Sequence, residues 1–137
     1  MPTPTDRVTL YRWDDIPLEK VTDMLSRKII TGEKEMITQI YLKSGGIVPM
    51  HNHEAEQITY VLTGSMRFKV GGQDVIIRAG EVLHIPSWLP HQAEALEDTF
   101  EMDIFSPIRH DGMWSTSPAR MITSWPPTLN FIEPVRT

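Results

Sequence analysis

Short apolar runs separated by glycine and proline turns most limit the folds open to this chain of 137 residues. Most of the runs are rich in β-branched and aromatic residues, as strands are. They cover residues 36–42, 57–62, 66–70, 74–78, 81–85, 91–95 and 99–105. Strands of about five residues at short, regular spacing are typical of a sandwich, a barrel or a jelly roll. The sequence therefore predicts an all-β fold.

The length fits a single domain, and we expect residues 1–137 to form one around a barrel at about 36–107. Residues 18–32 have the composition of a helix, but residues 26–31 and 36–42, joined by a turn at 32–34, also fit a hairpin. We prefer the hairpin. The tail at 110–137 contains Trp114, Trp125 and Phe131. It is too apolar for a free tail, so we expect it to pack on the barrel or on a second subunit.

Composition excludes several classes of function. A net charge of −5 and a pI near 5.5 argue against a general nucleic-acid-binding protein, which usually has a basic face. The absence of cysteine excludes disulfides, thiolate nucleophiles and iron–sulfur clusters. The first residues lack a signal-peptide pattern, and no run reaches the roughly 18 apolar residues of a membrane span. We therefore expect a cytoplasmic protein with no membrane partner.

Three of the five histidines suggest a metal site. Residues two apart in an extended segment point to the same side, so His51 and His53 can direct their imidazoles at one point. Continuing that alternation places Gln57 on the same face and Glu56 on the opposite one. Gln57 is therefore the better fourth ligand, although a carboxylate precedes it. His91 follows a stiff, proline-containing segment that can bring it opposite the pair.

These ligands suit one divalent transition metal, and nickel, zinc, manganese and iron are all compatible with them. Three neutral imidazoles and a neutral amide leave the charge of the ion uncompensated, which favours an anionic ligand. The alternative is structural, because an isolated His-x-His pair in a strand is more often not a metal site. The residues around the histidines decide between the two interpretations.

The glycines and prolines around the histidines resemble the two motifs of the cupin superfamily. The first motif is Gly45-x5-His51-x-His53-x3-Gln57-x6-Gly64, and the second is Gly80-x5-Pro86-x4-His91. Cupins usually have glutamate at Gln57, glycine at Trp88 and asparagine at Ala95. The resemblance implies an all-β double-stranded β-helix, a jelly-roll barrel, with the metal inside. It does not fix the reaction, because cupins host many chemistries.

One subgroup is more similar than the others. Residues 51–57 resemble the His-x-His-x-x-Glu-Gln pattern of KdgF-type cupins, and residues 103–109 resemble their Asp-x-Phe-x-Pro-x-Arg segment. That subgroup converts 4,5-unsaturated monouronates into linear keto forms, with a metal on three histidines and a glutamine. The resemblance implies that Asp103, Phe105 and Arg109 line the active site. Asp103 would move a proton, and Arg109 would neutralise a substrate carboxylate.

Alternation along the strand is compatible with these roles. It places Glu101, Asp103 and Phe105 on one face, and a carboxylate inside a barrel is costly unless it has a partner or a task. The alternative is that Asp103 lies on the surface. Trp88 and Thr59 are further candidates for substrate contacts. Trp88 can stack on a sugar ring at the mouth of the pocket, although structural packing explains it equally well.

The sequence thus predicts a metal-binding cupin that opens and tautomerises a small, anionic, sugar-acid-like substrate. Two alternatives stay open at this point. One is a metal-dependent dioxygenase or lyase of the same family, and the other is a cupin that binds a small molecule without catalysis. We also expect a homodimer, because the N-terminal hairpin and the aromatic tail would otherwise leave sheet edges and apolar surface exposed.

Overall fold

The computed structural model describes residues 7–109 of the chain, and the tail at 110–137, with its expected packing, lies outside these residues. Strands dominate the described part, and a single-turn 3-10 helix at Trp13–Asp15 precedes them. The strands are β1 Glu19–Lys20, β2 Leu25–Thr31, β3 Met36–Leu42, β4 Ile47–His51, β5 Glu56–Thr63, β6 Ser65–Val70, β7 Gln73–Arg78, β8 Val82–Ile85, β9 His91–Ala95 and β10 Thr99–Ser106. Between residues 7 and 109, no helix is long and apolar enough to cross a membrane.

Two antiparallel sheets make up the fold. The six-stranded sheet has the order β1-β2-β3-β10-β5-β8, and the four-stranded sheet has the order β4-β9-β6-β7. Strands β2 and β3 form the antiparallel hairpin that the sequence predicts, with Thr31 opposite Met36 and Leu25 opposite Leu42. The all-β prediction is confirmed.

Alternating burial along the strands builds a core between the sheets. In β5 the odd-numbered residues 57, 59 and 61 are buried, whereas 56, 58 and 60 are exposed. The buried apolar side chains are Leu25, Ile40, Leu42, Val48, Val61, Met66, Phe68, Ile77, Ile85, Ala93 and Ala95. Burying a leucine, isoleucine, valine or phenylalanine of this set contributes about 1.5–3 kcal/mol relative to an exposed position. This core fixes the strands on which the polar interior residues stand.

Polar side chains continue the same inward face towards one end of the barrel. Strands β5 and β10 pair with Asp103 opposite Thr59 and Phe105 opposite Gln57. In the other sheet, His51 at the end of β4 is paired with His91 at the start of β9. The register of these two strand pairs therefore brings distant segments of the chain to one place.

Candidate metal centre

The three histidines singled out by the sequence meet inside the barrel. Each offers one ring nitrogen, and these ligand atoms all lie within 4.8 Å of one another. The ring centroids are 4.4 Å apart for His51 and His91, 5.0 Å for His53 and His91, and 5.4 Å for His51 and His53. The structure thus confirms that His91 approaches the His51/His53 pair from the neighbouring strand.

Main-chain carbonyl groups set the tautomer of all three rings. The Nδ1 atoms lie 2.8 Å from carbonyl oxygens that belong to Pro49 for His51, Ala55 for His53 and Leu89 for His91. A carbonyl oxygen only accepts, so each Nδ1 carries the proton and donates it, which leaves the Nε2 lone pair available. Among the described residues, Nε2 of His51 and of His91 has no hydrogen-bond partner. This is the arrangement of imidazoles oriented to bind a metal.

Burial also favours the neutral form of the His51 and His91 imidazoles. Desolvation lowers the pKa of His51 to about 3, and the neighbouring His91 adds to the effect. Desolvation also lowers the pKa of His91, against the opposing influence of its hydrogen bond to Leu89 and of Asp103. Since only the neutral ring binds a metal ion, protons compete less for these two side chains than for an exposed histidine.

Gln57 lies in the wall of the same site, with its amide nitrogen already engaged. Nε2 of Gln57 donates to Oγ1 of Thr59 at 2.9 Å and lies 3.4 Å from Oδ1 of Asp103. The oxygen of the amide is thereby left as its donor atom for a metal. The preceding Glu56 is exposed and accepts from His84 Nε2 at 2.7 Å, on the opposite face, as the alternation predicts. The assignment of Gln57 as fourth ligand stays a prediction that fits this geometry.

Two buried carboxyl groups lie beside the histidines. Asp103 accepts a 2.7 Å hydrogen bond from the Thr59 hydroxyl, and its side chain is also hydrogen-bonded to that of Glu101. Burial raises the pKa of Asp103, although the bonds from Glu101 and Thr59 oppose the rise. Burial, together with the Asp103 charge, raises the pKa of Glu101 well above its ordinary value. Glu101 is therefore the member of the pair that holds the proton and donates it to Asp103.

Glu101 is the site residue to which sequence reasoning gave no role. Alternation had already put it on the face of Asp103, but nothing in the sequence indicates that the two side chains are hydrogen-bonded. It is buried and lines the cavity at the histidines, so the surface alternative for this face of β10 is wrong.

Phe105 and Arg109 lie beside the histidines. The Phe105 ring is fully buried and meets the His53 ring edge-on at 5.7 Å between centroids. The Arg109 guanidinium carbon lies 5.1 Å from the centroid of Phe105, in cation–π contact. The Arg109 charge also contributes, after burial, to the low pKa of His51. Both residues are thus brought to the site, and their proposed contacts with a substrate stay predictions.

Trp88 is the one exposed member of the predicted site. Its side chain is 61% exposed, and its backbone N–H donates to the carbonyl oxygen of His53 at 2.8 Å. Its φ of 66° lies in the left-handed region, which a bulky side chain rarely adopts. This explains why related motifs have glycine here, and it leaves the indole in solvent beside the histidine loop.

The cavity at the centre of the site is small enough to favour an ion and its immediate ligands. Its volume is about 20 Å³, which is room for about one water-sized sphere. The lining residues are Val48, His51, Gln57, Met66, Phe68, His91, Ala93, Glu101 and Asp103. Lone pairs without partners, neutral imidazoles and a one-sphere cavity are what a single divalent cation requires. The residues present therefore fit the metal.

Residues 39–107 match the cupin domain, and together with the fold and the three-histidine site they show that the chain belongs to the cupin family. Among its relatives, the pectin degradation protein KdgF of Dickeya dadantii is 32% identical over 101 residues, which cover 72% of this chain and 92% of that protein. The resemblance to KdgF-type cupins is thereby confirmed.

The chain is also similar to a solved KdgF structure and to a longer oxalate decarboxylase. The structure of KdgF from Halomonas sp. matches with a TM-score of 0.71 and 28% identity, over 77% of this chain and all of that one (100%). The oxalate decarboxylase OxdC of Bacillus subtilis is 29% identical over 104 residues, which cover 72% of this chain but only 26% of that longer protein.

Proposed function

We propose that this cupin is a metal-dependent enzyme that opens and tautomerises a small 4,5-unsaturated uronate. The observation that carries the proposal is the buried Asp103 carboxyl group, which is held by Thr59 and lines one cavity with Gln57, His51 and His91. A buried carboxyl group at a cavity is costly to keep, and such groups are typical of proton transfer. The extensive match to KdgF proteins supports the same substrate class.

The reaction needs no oxidant or reductant. The hemiacetal hydroxyl loses a proton, the bond from the anomeric carbon to the ring oxygen breaks, and an enol is released. Protonation of the carbon at position 4 then gives the linear keto acid. A divalent ion on His51, His53, His91 and Gln57 would supply Lewis acidity to the substrate oxygens, and nickel, zinc, manganese and iron all suit these donors.

The residues of the chain supply the other requirements. In this proposal Asp103 takes and returns the proton, which is supported by its raised pKa, since that brings it nearer to the value that suits an acid–base group. Arg109 carries the positive charge that would neutralise the substrate carboxylate. Phe105 contacts the His53 ring edge-on, and the Thr59 hydroxyl donates a hydrogen bond to Asp103. Trp88 offers an exposed indole on which a sugar ring can stack.

The test is the ultraviolet absorbance of the conjugated uronate double bond. We expect the absorbance to decay when the protein and one of the four metals are added, and to persist with the metal alone. Absence of decay with unsaturated uronates of both pectin and alginate origin would overturn the proposal. Oxygen consumption with the same substrates would favour a dioxygenase instead.

We also propose that the chain forms a homodimer. Neighbouring strands of the six-stranded sheet expose apolar side chains in adjacent register, with Ile104 opposite Ile58 and Tyr60 opposite Val82. These side chains are between 37% and 58% exposed. An apolar row on an outer face is typical of an interaction surface. Size-exclusion chromatography with light scattering tests this, and a monomer at high concentration would contradict it.

A further inference from the structure

Glu101 is buried beside the histidines and has no part in the reaction proposed above. It stands two residues before Asp103 on the inward face of β10, opposite Val61 of β5. Its side chain is 4% exposed, and it lines the cavity together with His51 and His91. An ionisable side chain in this position is unusual, because the surroundings favour an apolar residue.

One side of the Glu101 carboxyl group is occupied and the other is open. It is hydrogen-bonded to the Asp103 side chain, whereas its Oε1 atom has no partner among the described residues. Asp103 in turn accepts from Thr59 at 2.7 Å and lies 3.4 Å from Nε2 of Gln57. Glu101 thus stands at one end of a chain of hydrogen bonds that runs through Asp103 to Thr59 and Gln57.

We propose that Glu101 is a positioning residue, which fixes the Asp103 carboxyl group in the orientation that faces Thr59, Gln57 and the cavity. The contacts from Thr59 and Gln57 both reach Oδ1 of Asp103, so they restrain the carboxyl group at one of its two oxygens. The hydrogen bond from Glu101 adds a further contact that restricts rotation of the carboxyl group. The effect of Glu101 on turnover rests on the proposed function, whereas its effect on Gln57 does not.

A structural role and a positioning role make opposite predictions for stability. Burying a carboxyl group in an apolar region costs free energy, and replacing it by an apolar side chain of similar size is often neutral or stabilising. If Glu101 were needed for the fold, its replacement would lower the free energy of unfolding. If Glu101 positions Asp103, its replacement lowers activity without lowering that free energy.

The experiment compares Glu101→Leu, Glu101→Gln and the packing control Val61→Ala. Glutamine can still donate to Asp103 from its amide nitrogen, whereas leucine cannot. We expect kcat of Glu101→Leu to fall by about 100-fold, the scale of a misplaced catalytic group, with little change in KM. We expect Glu101→Gln to keep most of kcat. The metal-free Glu101→Leu protein should melt at or above the wild-type temperature, whereas Val61→Ala should melt lower and keep its kcat.

A second readout does not need turnover. With cobalt(II) as the bound ion and no substrate, the visible ligand-field bands should shift in Glu101→Leu, since Asp103 no longer orients the Gln57 amide, and should match wild type in Glu101→Gln. Bands unchanged in Glu101→Leu would overturn the inference. So would equal losses of kcat in the leucine and glutamine variants. If wild type converts no uronate, the proposed function fails, and the cobalt bands alone decide about Glu101.

Discussion

Asp103 contacts a hydroxyl, an amide and a second carboxyl group. For Asp103→Asn we expect kcat on the uronate to fall by about 10²–10⁴, the usual contribution of a general acid–base group. The amide oxygen can still accept from Thr59, so the bound metal, measured by elemental analysis, should be unchanged. Asp74→Asn, at an exposed position of β7, is the matched control. Full activity in Asp103→Asn would remove the residue from the mechanism.

His51 gives the metal-free protein a pH dependence whose sign can be worked out. Its pKa is 6.5 in an unfolded chain and about 3 in the folded one, so below pH 6.5 the unfolded state binds more protons. The folded state is therefore progressively destabilised as the pH falls from 6.5 towards 3. The buried carboxyl pair acts in the opposite direction, because its raised pKa values make the folded state the one that holds protons.

Comparison with His51→Gln separates the two effects. We expect denaturation of the metal-free proteins to show wild type losing stability relative to His51→Gln between pH 7 and pH 4. The difference should be flat above pH 7, where both states leave the ring neutral. A difference that did not change with pH would mean that His51 is not held neutral by burial.

The backbone conformation of Trp88 costs free energy of folding, whereas its indole is proposed to contact the substrate at the mouth of the site. A non-glycine residue in the left-handed region costs about 1–2 kcal/mol. Glycine there avoids this cost but loses more chain entropy on folding. We therefore expect Trp88→Gly to raise stability by up to about 1 kcal/mol in chemical denaturation, and to raise KM about fivefold if the indole stacks on the sugar. An unchanged KM would leave Trp88 without a substrate role.

At the scale of elements, the turn between β5 and β6 is under the tightest steric restriction. Gly64 has φ 94°, and a Cβ atom there would lie 2.5 Å from the Asp98 carbonyl oxygen. Gly72 has φ 81° but no atom within 4 Å of its Cβ position. By urea denaturation we expect Gly72→Ala to cost about 1 kcal/mol and Gly64→Ala clearly more, since backbone atoms must move. Equal costs would show that the β5–β6 turn accommodates a side chain.

The strands also show what the sequence could and could not predict. A period of two is a local property, so it correctly put Gln57 inward and Glu56 outward. It also put Asp103 on one face with Glu101 and Phe105, but it did not decide whether that face is buried. The β2–β3 hairpin followed from local turn chemistry. The hydrogen bond between Glu101 and Asp103 depends on side-chain geometry within the folded strand. The left-handed φ of Trp88 showed in the sequence only as a missing glycine.

At the scale of the molecule, we expect metal binding and folding to be coupled, because the three histidines lie at one end of the β4–β9 pair and Gln57, the predicted fourth ligand, lies on β5 of the other sheet. An ion that binds only the folded state stabilises it by about 2.7 kcal/mol at a concentration 100 times Kd. We expect nickel or zinc to raise the melting temperature by several degrees, and a chelator to reverse the rise. His91→Ala should abolish the shift. A shift that survived in His91→Ala would place the ion elsewhere.

The imidazoles of this site take their direction from peptide oxygens at positions 49, 55 and 89. A main-chain carbonyl oxygen is present whichever amino acid occupies the position, so a substitution removes this hydrogen bond only if it changes the backbone conformation. The side chains around the histidines can therefore be substituted while the three Nε2 lone pairs keep their directions. The orientation of the three histidines thus depends on the backbone conformation, and it can be kept while the side chains of the surrounding pocket change.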